Sequence, residues 1–371
     1  MSSSPQKILL RSVNWLGDAV MTMPAVQRLK EARPDAIITI LAPEKLADLW
    51  RLHPCVDDVI AFSPKESVWQ IGRRLRWGRF HEGLIFPNSP RTALEMWLGK
   101  VTRRAGYARP WRSLFLTDAI APRPDEIRMH KRSVAEIRQR IASNQINRET
   151  FPASAHHVHQ YLHLVAAAFG ANPEPVPPML TVPDKDMAAV RERFHFTKGS
   201  SPVFGMNPGA EYGPAKRWPL ERFVEAALKI HEEAGAAWVL FGGRGDVELT
   251  GEIERRLREK AGLEFSLINL AGRTSLRELC AALKHCSALL TNDSGPMHLA
   301  AALGVPAVVL FGSTSPELTG PQVYGAQVHH VLQAPAACAP CFLRDCPVDF
   351  RCMAGITVNQ AVTAVLQAAK A

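Results

Sequence analysis

At 371 residues the chain exceeds what one ordinary hydrophobic core takes, and it predicts two domains. Hydrophobic residues at 47% and charged residues at 21% exclude a disordered chain, and no window approaches the roughly 18 uninterrupted apolar residues of a membrane span. The net charge of +9 lies wholly in the first half: residues 1–175 carry 25 Lys and Arg against 16 Asp and Glu, and 176–371 carry 19 of each, so a partner drawn by charge (nucleic acid, an anionic membrane or an acidic substrate) meets the first half.

The first apolar run, Ile8–Leu10, is too short for a secretory signal, so a cytoplasmic protein is expected. KILLRSV (Lys7–Val13) predicts a strand. It leads into the loop Asn14-Trp15-Leu16-Gly17-Asp18, and then into a helix with Val20, Met23, Val26 and Leu29 on one face. AIITILA predicts a second strand, KLADLWRL a helix, and VDDVIAF and HEGLIFP two more short strands. RRLRWGR, with Arg73 and Arg74, and RRAGYARPWR concentrate the positive charge, and each also reads as a solvated surface. Residues 122–155 break the rhythm and predict a basic helical insertion or flap of the first domain. HHVHQYLHLVAAAFG predicts a helix stopped by Gly170. Pro173, Pro175, Pro177, Pro178 and Pro183 then mark a linker, which sets the domains at 1–175 and 176–355.

The alternation of strand and helix resumes in the second half, with strands at SPVFGMNPG, AAWVLFGG, FSLINLAG, ALLTND and PAVVLFG. Short apolar runs alternating with amphipathic helices imply an α/β protein with parallel sheets. Two such halves joined by a hinge would leave a cleft, a common place for ligands.

Three strand-to-loop junctions of the second half carry candidate chemistry. TNDSGPMH places Asp293, Ser294 and Gly295 at a helix start, with His298 in the first turn. Backbone N–H groups and the helix dipole there favour a phosphate, although the same residues could be an ordinary cap over a packed His298. NPGAEYGPAKRWP brings Gly209, Glu211 and Lys216 to a second junction, where an ammonium group suits a diphosphate. FGGRGD adds Gly242 and Gly243. No GxxxxGK[ST] or clean GxGxxG occurs, which weakens kinase and dehydrogenase readings. In the first half, Asp18 reads either as a general base or as the cap of a helix starting near Ala19.

Four cysteines cluster late, Cys338, Cys341, Cys346 and Cys352. Their irregular spacing reads as reduced thiols in a packed loop, with a tetrahedral zinc site as the alternative. His156, His157 and His159 point in different directions on a helix and make a poor metal set.

NWLGDAVMTMPAVQRLK, GAEYGPAKRWP, the long stretch from Asn269 to Glu317 and CAPCFLRDC together resemble the ADP-heptose:lipopolysaccharide heptosyltransferases of glycosyltransferase family 9, in the heptosyltransferase II branch. The resemblance implies a GT-B fold: two Rossmann-like domains facing each other across a cleft, with a last helix, 356–371, returning to the first domain. It implies ADP-heptose as donor, the phosphate-bearing heptose-Kdo2-lipid A inner core as acceptor, and inversion at the transferred carbon. Carried over by position, Asp18 corresponds to the base and Lys216 to the phosphate-binding lysine. Asp293, Ser294, Gly295 and His298 correspond to the donor loop, and Glu211 to a specificity residue. Acceptor contacts are expected from Asn14, Gly17, Arg73, Arg74, Arg128 and Arg132, with Arg138 in the same basic segment. No cofactor is expected, nor a nucleic-acid partner, and the enzyme is expected on the cytoplasmic face of a Gram-negative inner membrane, in contact with the leaflet. Two other readings stay open: another nucleotide-sugar transferase or epimerase on this fold, and a nucleotide-regulated nucleic-acid-binding protein. The second lacks a basic strand interleaved with aromatic residues.

Overall fold

Ile8, Leu9 and Leu10 are all fully buried, which a strand reaches only when both faces of its sheet are covered. A computed structural model describes residues 5–127, 129–143, 149–196, 201–262, 265–321 and 329–370. The chain forms two compact units, Met1–Glu126 with Ser154–Thr181, and Ile127–Ala153 with Val182–Ala371.

The first unit contains strands β1 (Lys7–Arg11), β2 (Ile37–Pro43), β3 (Asp58–Phe62), β4 (Glu82–Ile85), β5 (Arg103–Tyr107) and β6 (Asp118–Ile120). They pair in parallel in the order β3-β2-β1-β4-β5-β6. The second unit contains β7 (Val203–Asn207), β8 (Ala237–Leu240), β9 (Leu267–Asn269), β10 (Ala288–Asn292), β11 (Ala307–Phe311) and β12 (His329–Gln333). These too are all parallel, in the order β12-β11-β10-β7-β8-β9. Each sheet therefore repeats the doubly wound Rossmann order, and each reverses direction beside its own first strand. In such sheets ligands bind outside the carboxyl ends of the strands at that reversal. Here those places are the loops after β1 and β4, and the loops after β7 and β10.

β5 lies inside the run expected as a basic surface. Arg103 is paired across strands, bonding Glu82 on β4 at 2.8 Å and Asp118 on β6 at 2.6 Å, while Arg104 donates to the Phe115 and Val101 carbonyls. Arg112, at the end of the same run, is fully buried and donates to the carbonyls of Ile85 and Tyr107. Burial lowers its pKa to about 10. The helix Asp184–Phe194, directly after the proline-rich linker, was not expected. Its Asp184 and Asp186 sit in the first turn, where the helix dipole favours them.

Three domain expectations are corrected. The passage between units falls at Thr181–Val182 rather than at 175/176. The basic segment belongs mainly to the second unit from Ile127 onward, because Arg132 and Ile137 pack on the loop carrying Cys338 and Cys341. The last helix, Val358–Ala368, expected to return to the first domain, packs within the second unit. Val358, Ala361, Val362, Val365 and Ala368 share a core with Phe223, Ala227 and Ile230 of helix Leu220–Ala234 and with Leu290 and Leu310 of the sheet. No helix among the described residues is long and apolar enough to cross a membrane.

Candidate functional site

At the reversal of the second sheet, β7 and β10 run side by side, and their carboxyl ends release the two loops that carry Lys216 and Asp293. The loops are tied together by side-chain amides. Asn292 donates to the Pro208 carbonyl at 2.7 Å and accepts from the Trp218 N–H at 3.1 Å. Asn207 donates to the Ser294 hydroxyl at 3.0 Å. Both amides are buried, so each bond rigidifies the loops at little competition from water.

Lys216 Nζ lies 2.5 Å from Asp293 Oδ2, with the two side chains 14% and 5% exposed. Thr314 Oγ1, just beyond β11, donates to the same carboxylate oxygen at 2.5 Å. The ammonium also stands over the Tyr212 ring, 4.9 Å from its centre. Tyr212 is in turn fixed by Phe342, whose carbonyl accepts its hydroxyl at 2.7 Å, and by Arg344, which donates to its carbonyl at 2.8 Å. Gly213 has φ +154°, and a Cβ there would meet the Arg344 carbonyl oxygen at 2.5 Å. The segment 342–344 therefore clamps the lysine loop, and only glycine fits where the two backbones touch.

The helix Gly295–Leu303 begins at this point with Pro296 in its first turn and Ser294 at the cap position. No side chain caps it, since the Ser294 hydroxyl turns to Asn207 and Thr291, and Asp293 turns to Lys216 and Thr314. The helix start therefore lacks the side-chain cap that one of the two sequence readings of TNDSG expected, which leaves its leading N–H groups without a capping side chain. His298 is buried in the first turns of the same helix.

The remaining expected residues fall as follows. Glu211 is exposed on the lysine loop. Gly209 and Gly242 both abut Asp246, with a Cβ at either meeting it within 2.4 and 2.8 Å, so these glycines let the loops after β7 and β8 pack. The Gly243 N–H donates to the Asp246 carboxylate at 3.0 Å. Beside Thr314 a cavity of about 250 Å³ opens at the ends of β11 and β12, lined in part by Glu149, Ser315, Glu317 and Gln333.

In the first unit, helix Leu16–Ala32 starts earlier than expected, so Asp18 is a first-turn residue and not its cap. It is half-buried, Gly17 is half-buried beside it, and Asn14 is exposed. Arg11, at the end of β1, positions this loop: it bonds the Ser12 carbonyl at 2.5 Å and Asn14 Oδ1 at 3.4 Å. Glu95, fully buried, holds Arg11 at 2.8 Å. Arg73 and Arg74 are exposed, and Arg74 already pairs with Glu66 at 2.7 Å.

Arg132 does not fit an acceptor contact. It is 4% exposed and spends its guanidinium on the Cys338 carbonyl at 2.8 Å and on Glu149 at 2.6 Å. Arg128 lies outside the described residues, and Arg138 is exposed. Cys338, Cys341 and Cys352 are buried free thiols, and Cys346 is a half-buried one. Burial pushes the first two thiols up and Cys352 up to about 12. Among the described residues no group of His, Cys, Asp and Glu is arranged to hold a metal ion.

A family model described as glycosyltransferase family 9 (heptosyltransferase) matches residues 128–350, well over half of the chain. The chain belongs to glycosyltransferase family 9. This family 9 enzyme is 30% identical over 323 residues to lipooligosaccharide heptosyltransferase 2 of Haemophilus influenzae, covering 85% of each chain. It is 31% identical over 334 residues to lipopolysaccharide heptosyltransferase 2 of Salmonella typhimurium, covering 87% of each. The solved ADP-heptose LPS heptosyltransferase II of E. coli superposes with a TM-score of 0.77 at 26% identity, over 98% of this chain and 99% of that one. The likeness extends along the whole chain, and the fold is the GT-B class expected from the motifs. Sequence reasoning passed over Thr314, Asn207, Asn292, Tyr212 and Arg344. Thr314 was within reach, because it follows an apolar run at a strand end as Asp293 does. Arg344 carries no local signal.

Proposed function

We propose that this glycosyltransferase moves heptose from ADP-heptose onto the heptose-Kdo2-lipid A inner core during lipopolysaccharide core assembly. One observation carries the reading. At the reversal of the second sheet a lysine and an uncapped helix N-terminus converge on one place, the lysine held there by Asp293. That arrangement suits a nucleoside diphosphate. The named relatives, which are heptosyltransferases, narrow the sugar to heptose.

In the proposed reaction the acceptor hydroxyl oxygen bonds to C1 of the heptosyl group from the face opposite the phosphate, which inverts that carbon. The C1–O bond to the diphosphate breaks, and its electron pair leaves with ADP. The acceptor proton passes to Asp18. Negative charge grows on the departing phosphates, and Lys216 with the N–H groups from Gly295 onward stabilises it, so this reading assigns no cofactor. Asp293 and Thr314 orient Lys216 and the donor. The cavity beside Thr314 supports the reading, since between apolar walls Ser315, Gln333, Glu149 and Glu317 bring hydroxyl, amide and carboxylate groups to a polyol. Arg73 and Arg138, exposed and cationic, serve the acceptor phosphates. The enzyme works at the cytoplasmic face of the inner membrane, where such an acceptor is anchored.

The test is a donor panel with purified inner-core acceptor. Turnover is expected with ADP-heptose and not with UDP- or GDP-sugars. Equal or better turnover with a UDP-sugar, or epimerisation without transfer, sinks the reading.

A further inference from the structure

Three of the chain's eight tryptophans, Trp50, Trp218 and Trp238, are buried, and the other five all stand exposed on the first unit. Four of these five gather on one layer. Trp69 and Trp77 lie on helix Val68–Gly78, 67% and 85% exposed. With Arg73 and Arg76 they occupy positions i, i+4, i+7 and i+8, one face of the helix. Ile71, Gly72 and Leu75 point the other way into the core. Helix Pro90–Leu98 packs alongside, close enough that a Cβ on Gly72 would meet Leu98 at 2.5 Å and one on Gly99 would meet Leu75 at 2.7 Å. Arg76 adds a bond to the Leu98 carbonyl at 2.9 Å. Trp97 therefore extends the same surface. It meets Phe115 edge-on with ring centres 6.0 Å apart, which brings in exposed Leu114, and Trp111 stands exposed in the same turn.

The exposed charge on this layer is mainly positive. Residues 68–79, 89–101 and 111–117 contain seven Lys and Arg, of which Arg112 is buried and Arg74 pairs with Glu66 just outside them, and a single carboxylate, Glu95, which is buried under Arg11 and Arg91. Arg73, Arg79 and Lys100 remain exposed among the indoles. Water penalises so much exposed indole surface, so the face is built for a medium that takes aromatic rings and cations together. An anionic bilayer interface is such a medium: indoles prefer the headgroup level, and arginines bind lipid phosphates.

We propose that this layer is a docking surface for an anionic lipid bilayer, with Trp69, Trp77, Trp97 and Leu114 entering the headgroup zone and Arg79 and Lys100 on lipid phosphates. This deepens the reading above, which needs the enzyme beside a lipid-anchored acceptor. Separate measurements keep the two apart.

The full-length protein is sedimented with vesicles of phosphatidylglycerol and phosphatidylethanolamine, and with phosphatidylcholine vesicles. Binding is expected to the anionic vesicles, weaker at high salt, with the tryptophan emission shifted to the blue. Trp69→Ser with Trp77→Ser should weaken that binding by about tenfold or more, while turnover on a soluble, delipidated acceptor stays unchanged. Absence of binding to anionic vesicles, or binding indifferent to the double variant, overturns the proposal. It is equally overturned if the variant loses affinity for single-stranded RNA or abolishes self-association, with vesicle binding intact. Vesicle binding without heptose transfer removes the enzymatic reading and leaves the surface. Transfer without vesicle binding does the reverse.

Discussion

Removing the Lys216 ammonium should separate leaving-group stabilisation from plain donor binding. In Lys216→Ala the charge that meets the departing diphosphate is gone, while the helix N-terminus at Gly295 remains. Loss of one preorganised donor of this kind costs about 10²–10³ in kcat, or about 2.7–4 kcal/mol at the transition state. The ground-state donor already carries phosphate charge, so ADP affinity falls as well, but by only about tenfold or less, because the charge grows during bond breaking. The same substitution strips Asp293, 5% exposed, of its ion pair and leaves it the Thr314 hydroxyl as donor. Orphaning a buried carboxylate costs up to about 3–5 kcal/mol, and the 14% exposure of Lys216 places the figure toward the low end. Against a typical stability of about 5–15 kcal/mol the variant stays folded but melts earlier. Adding Asp293→Asn should recover most of that stability and none of the turnover. The assay is steady-state transfer with ADP affinity measured in parallel and urea unfolding as control. A folded Lys216→Ala enzyme whose kcat stays within threefold, with the whole defect in KM, would refute the assignment.

Asp18→Ala should lower kcat by about 10²–10⁴ with ADP affinity kept, as measured by transfer kinetics and titration with ADP. Full activity would return Asp18 to a helix-start residue. Arg132→Ala should destabilise by about 1–3 kcal/mol, since the Cys338 carbonyl and Glu149 lose a buried partner. Urea unfolding checks this, and Arg138→Glu in the same segment should instead raise the acceptor KM with stability unchanged. Burial of His53 lowers its pKa from 6.5 to about 4. Between those values the unfolded chain binds the extra proton, so stability is present above pH 6.5 and is lost as pH falls toward 4. From pH 7 to pH 5 the loss attributable to His53 is about 2 kcal/mol, and His53→Gln should remove it from the pH dependence of urea unfolding.

Where a sequence signal was local, it was legible. The runs around Leu9, Ile40, Leu289 and Val308 are continuous because their strands are covered on both faces. Ser275 with Glu278 forms the expected capping box, and Gly170 and Gly235 end their helices at positive φ. Trp218 packs against Phe223, ring centres 5.0 Å apart, as expected of a residue under the helix. Strand ends rich in Gly, Asp and Lys stood out because a βα junction is short, and its chemistry must lie within a few residues of the apolar run.

Tertiary structure decided what depends on residues far apart in the chain. Lys216 meets Asp293 across 77 positions, Arg11 meets Glu95 across 84, and Arg132 meets Cys338 across 206. A basic run reads alike whether its arginines face water, as Arg73 does, pair across strands, as Arg103 does, or are buried, as Arg112 is. The last helix could equally have covered either unit by its apolar face alone. Its place against Leu220–Ala234 follows from which core offered Phe223, Ala227 and Ile230 as a complementary surface. The strand periodicity is written into neighbouring residues; the partner of a charged or apolar face is chosen by the folded chain, because burial and pairing are properties of three-dimensional neighbours.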